Sequence, residues 1–172
     1  TPDHIRLLLE LALRTGQRRG VILALRWEHV DLDKRVIRFR DTEDADERSK
    51  KRRGNKPMDD DLYNLMVWAL ARRSDETDHV IHWRDKPVRS PYAGMRALYK
   101  RAGLTAIHTH DLRRSSATFV HTETKGDLKA AASHIVDTEA TARKHYVMEV
   151  ESVHLPAIEA VSAVLARARK AG

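Results

Sequence analysis

The chain has 172 residues, with 32 Lys and Arg against 25 Asp and Glu, a formal net charge of +7 and no cysteine. The length suits one domain with its own apolar core. Lack of cysteine excludes disulfide scaffolds, thiolate metal sites and thiol nucleophiles, while the positive balance favours a polyanionic partner, of which nucleic acid is the simplest.

No apolar run approaches the ~20 residues that cross a bilayer, and Thr1-Pro2-Asp3-His4 lacks the basic-then-apolar pattern of a signal peptide. A cytoplasmic protein without a membrane anchor is expected. Because a helical pattern begins almost at once, the chain reads as a piece of a longer protein. Ile5, Leu8, Leu9, Ala12 and Leu13 recur at helical spacing, and Gly16 is placed to stop that helix after Thr15. A second helix is expected to follow directly, burying Val21, Ile22, Leu25 and Trp27. Val36 to Phe39 reads as a short strand, and Pro57-Met58 as the end of a returning one. The hairpin excursion between them runs from acidic (Asp41, Glu43, Asp44, Asp46, Glu47) to basic (Arg48, Lys50, Lys51, Arg52, Arg53, Lys56), too polar to be core.

Asp59 to Asp61 can cap a helix whose apolar stripe is Leu62, Leu65, Met66, Ala69 and Leu70. Val80-Ile81 reads as a brief extended piece. Ser90-Pro91 predicts a helix start with the serine as cap, ended by Gly103; Thr109 is the expected cap of the next helix, and Asp127 and Asp137 of two more. The last helix is expected over Leu155 to Arg169. The fold class is therefore mainly α with a small antiparallel β-hairpin or sheet, about eight helices against two or three short strands.

The strongest local chemical signal is His110-Asp111-Leu112-Arg113, which puts an imidazole and a guanidinium on one face near a helix N-terminus. Free backbone N–H groups and a guanidinium fork can bind an anion there. Taken alone, the pair equally describes a helix start with an ordinary salt bridge. The segment Thr15-Gly16-Gln17-Arg18-Arg19-Gly20-Val21-Ile22-Leu23-Ala24-Leu25-Arg26-Trp27 adds a second arginine on a tight glycine turn, followed by an ordered apolar run.

This segment resembles the first arginine box of the tyrosine recombinases of the phage-integrase type, with Arg18 as the first catalytic arginine. Other motifs follow in the family's order. Lys50-Lys51-Arg52-Arg53-Gly54-Asn55-Lys56-Pro57-Met58 resembles the hairpin of the catalytic lysine, with Lys50 taken as that lysine and Lys51 as the alternative. His110 and Arg113 match the His-x-x-Arg box, His134 the second histidine and Tyr146 the nucleophile. Val21 stands where the family carries an acid, Ala132-Ser133 where it has Leu-Gly, and the interval from His134 to Tyr146 is a few residues longer than usual.

The resemblance implies a catalytic domain over 1–172 without the family's N-terminal DNA clamp, acting on double-stranded DNA with no metal or other cofactor. Arg18 and Arg113 would clamp the scissile phosphate, His110 and His134 would hydrogen-bond it, and Tyr146 would attack to leave a 3′-phosphotyrosine as Lys50 protonates the 5′-oxygen. Lys51, Arg52, Arg53, Arg114 and Lys144 are expected on the DNA backbone. The resemblance implies a homotetramer on DNA and a monomer without it, and residues 151–171 would form a helix exchanged between protomers or packed on their own domain. Two other readings use the same residues: a type IB topoisomerase-like strand transferase, and a catalytically inactive DNA-binding relative.

Overall fold

Ile5, Leu7, Leu8, Leu9, Leu11 and Ala12 are all buried, so the first helix, α1 (Asp3–Thr15), presents a broad apolar face to the core, with Arg6, Glu10 and Arg14 paired along its other side. In the computed structural model, which describes residues 2–39, 54–104 and 108–145, α1 packs against α2 (Arg19–Leu23), α3 (Asp60–Leu70) and α5 (Thr109–Glu123). Gly16 ends α1 in the left-handed conformation at φ 62°, where a side chain is strained, as its position after Thr15 predicts.

The second helix is shorter than its apolar pattern suggests. It stops at Leu23 because the backbone beyond it pairs elsewhere: the Val80 amide donates to the Leu25 carbonyl and the Trp27 amide to Asp78. Leu25 is buried as expected, while Trp27 begins a 3₁₀ turn to His29 and is only partly buried.

Three two-residue strands, β1 (Val30–Asp31), β2 (Val36–Ile37) and β3 (Lys56–Pro57), form an antiparallel sheet with Val30 opposite Ile37 and Ile37 opposite Lys56. The returning strand is thus where Pro57 placed it, and the expected strand over 36–39 keeps only its first half. A second hairpin, β4 (His82–Trp83) with β5 (Lys86–Pro87), continues directly from Val80-Ile81. The charged tip with Lys50, Lys51, Arg52 and Arg53 lies outside the described residues, as do Tyr146 and the expected C-terminal helix.

Asp59 caps α3 by accepting from the Leu62 amide, and Asp127 caps α6 (Leu128–Ile135) by accepting from Ala130. Two expected caps are corrected. α4 (Tyr92–Ala102) begins one residue beyond Pro91 without a side-chain cap from Ser90, although it ends on left-handed Gly103 as expected. Thr109 is the first residue of α5, whose start is fixed instead by Asp111 accepting from the His108 amide.

Ala117, Ala132, Ile135 and Ala142 form a small second core joining α5, α6 and α7 (Glu139–His145). Among the described residues there are seven α-helices and five short strands. None of these helices is long and apolar enough to cross a membrane.

Candidate active site

Three chain segments meet at the C-terminal end of α1. Gly16 turns the chain so that Arg18 opens α2, and α5 and α6 close on that turn so tightly that a Cβ at Gly16 would lie 3.0 Å from Ile135 Cγ2 and 3.2 Å from Ser116 Oγ. Arg113, on α5, is only 1% exposed. Its Nη1 donates to the Gly16 carbonyl at 2.6 Å and its Nη2 to Asp137 Oδ2 at 3.0 Å. Arg18 Nη2 donates to the same oxygen, also at 3.0 Å. The two sequence-predicted arginines are therefore brought together around a single anionic atom.

Asp137 was expected to cap the helix leading to Tyr146, and the structure corrects this. Thr138 takes that role, its hydroxyl accepting from the Thr141 amide at 3.1 Å. Asp137 accepts from the Thr138 amide through Oδ1 and turns Oδ2 to the arginines. The preceding Val136 has φ 56° and ψ 58°, a left-handed corner rarely occupied by a β-branched residue.

One helical turn beyond Arg113, Ser116 Oγ lies 2.8 Å from His134 Nε2. On the other side of the ring, Lys56 Nζ is 3.5 Å from Nδ1 and donates to the His134 carbonyl. An ammonium can only donate, so the network assigns Nδ1 as acceptor and puts the ring proton on Nε2, directed at Ser116. Burial, reinforced by Lys56 and Arg113, pushes the His134 pKa down to about 4 and keeps the ring neutral. Burial together with Arg113 also pushes Lys56 down to about 8.

His110 stands at the exposed start of α5. Partial desolvation lowers its pKa, and so do the charges of Arg114, Arg113 and Arg18, with only Asp111 opposing. A neutral imidazole beside several guanidiniums can accept a proton. Arg114 is partly buried and Lys144 is exposed on α7, both in described segments, whereas Lys50, Lys51, Arg52, Arg53 and Tyr146 are outside them.

Lys56, Ser116 and Asp137 are site residues that sequence reasoning missed. Strand alternation beside Pro57 could have found Lys56, since Lys56 and Met58 point inward and Pro57 outward. Ser116 follows Arg113 by one turn. Asp137 was noticed only as a short-range helix cap.

The phage integrase family profile matches residues 1–133. The chain belongs to the phage integrase family. The match ends just before His134, so the α6–α7 corner lies beyond it. The fold is similar to that of the XerA recombinase in a crystal structure, with a TM-score of 0.63 and 17% identity over 98% of this chain; the chain spans 64% of that recombinase's length. Among curated proteins none matches in sequence.

Proposed function

We propose that this family member is the catalytic part of a site-specific DNA strand transferase that cuts and rejoins double-stranded DNA through a 3′-phosphotyrosine, without a metal ion. One observation carries the reading: Arg18 and Arg113, 95 residues apart, donate to one anionic oxygen. A phosphodiester resists attack because its oxygens are negative and gain charge at the pentacoordinate phosphorus. Two fixed guanidiniums offset that charge as metal ions do elsewhere.

Tyr146 attacks the phosphorus and the 5′-oxygen leaves. His110, kept neutral by partial burial and, after that, by the neighbouring guanidiniums, takes the phenolic proton. Lys50 from the hairpin protonates the leaving oxygen, with Lys51 as the alternative, and the ester bond energy is retained in the phosphotyrosine for rejoining. His134 acts through Ser116 and Lys56, which occupy its two ring nitrogens. Lys51, Arg52, Arg53, Arg114 and Lys144 hold the DNA backbone, and a homotetramer on two duplexes carries out exchange. The C-terminal segment 151–171 supplies the contact between protomers.

The test is a nicked duplex that traps the covalent intermediate. Protein should become linked to the 3′ end, and Tyr146→Phe should abolish the link. An adduct that survives Tyr146→Phe sinks the reading. A second reading, a DNA-binding relative that no longer cleaves, is favoured by the carboxylate already filling the arginine clamp, and it predicts no adduct from any variant.

A further inference from the structure

Arg113 is almost wholly buried, and the group closing it off on the Arg18 side is the Asp137 carboxylate. While Asp137 Oδ2 stays between the two guanidiniums, a phosphate oxygen cannot make the same pair of contacts, because one oxygen already fills the space where both donors point. We propose that Asp137 is a built-in competitor of the substrate phosphate: its carboxylate holds the Arg18–Arg113 seat in the DNA-free protein, and DNA engages the clamp by exchanging a phosphate oxygen for it. The proposal rests on the reading of those arginines as a phosphate clamp.

Local geometry supports an exchangeable carboxylate rather than a permanent strut. Asp137 is held on its other side by one contact to the Thr138 amide, in a corner whose preceding residue, Val136, has a backbone conformation that suits glycine. In the family pattern Leu-Gly precedes the second histidine. Ile135 matches that leucine in size and Val136 matches that glycine in its left-handed backbone alone, and Asp137 then takes the histidine's place, three residues nearer to Tyr146 than His134. An acid thus stands where the family pattern has a neutral hydrogen-bonding ring. Gly54, just before β3, packs against Val136 so closely that a Cβ there would be 2.7 Å from Val136 Cγ2.

The competitor role is tested by titrating the 172-residue chain with inorganic phosphate, followed by calorimetry, for the wild type, Asp137→Asn and Asp137→Ala. Removing the carboxylate's charge should tighten phosphate binding by roughly tenfold or more, and Arg18→Ala or Arg113→Ala added to Asp137→Asn should erase the gain. A folded Asp137→Asn protein with unchanged or weaker phosphate binding overturns the proposal and makes Asp137 a positioning residue. In that case the clamp reading survives if the single arginine substitutions still weaken binding. A gain that persists without either arginine overturns the clamp itself.

Should both Asp137 variants fail to fold, hydrogen exchange of the wild-type Thr138 amide decides. Saturating phosphate should release that amide from Asp137 and speed its exchange. Unchanged or slower exchange in the phosphate-bound protein counts against displacement.

Discussion

Lys56 shows how one residue sets the state of its neighbours. Its ammonium is buried beside Arg113 with no ion pair to a carboxylate among the described residues, and its pKa of about 8 means that the folded state holds the proton less tightly than the unfolded chain, where a lysine titrates near 10.5. Between those values the unfolded chain binds more protons, so stability should rise with pH from about 8 to 10.5, by an amount on the order of 3 kcal/mol. Lys56→Met should therefore raise the melting temperature at pH 7 and lose that advantage by pH 10.5, as thermal melts at the two pH values will show. His134 obeys the same sign at the acid end. Its pKa of about 4 against an ordinary 6.5 means that stability falls as the pH drops through that interval, and the loss should disappear in His134→Gln. A third residue-scale outcome concerns Gly16. Gly16→Ala combines a positive φ with a Cβ 3.0 Å from Ile135, and should cost about 1–3 kcal/mol in denaturant unfolding.

At the scale of elements, the α6–α7 corner and the β3 strand carry the site's positioning. Val136 ends α6 in the left-handed region without being glycine, so Val136→Gly should stabilise the fold by about 1 kcal/mol, measured by chemical denaturation. Gly54→Ala should do the reverse by about 1–3 kcal/mol, because its new methyl would meet Val136 at 2.7 Å. Local signals made several elements legible. The Leu-rich period gave α1, Gly16 and Gly103 gave two ends, and Asp59 and Asp127 gave two caps, all from chemistry that acts within one turn. They failed where distant backbone intervened. The α2 helix is cut short because Leu25 and Trp27 pair with the 78–80 segment, a contact invisible to a window of neighbouring residues.

For the whole molecule, the proposed DNA partner together with the +7 charge predicts an affinity that falls steeply with salt. Lys144→Ala should weaken binding to all sequences alike and reduce the slope of log affinity against log salt by about 0.9, as expected for one lost phosphate contact. Equal slopes for wild type and variant would place Lys144 away from the DNA. The order of short motifs along the chain identified the family, because a glycine turn, an arginine and a His-x-x-Arg box are local patterns that chemistry keeps together. Sequence by itself determined the helical class, the positive charge balance and the two arginines. What it could not determine was the atom between them. An aspartate before a threonine caps a helix or pairs with cations through the same carboxylate, and only the packing of α1, α5 and α6 around Gly16 decides which donors come within 3.0 Å of Asp137.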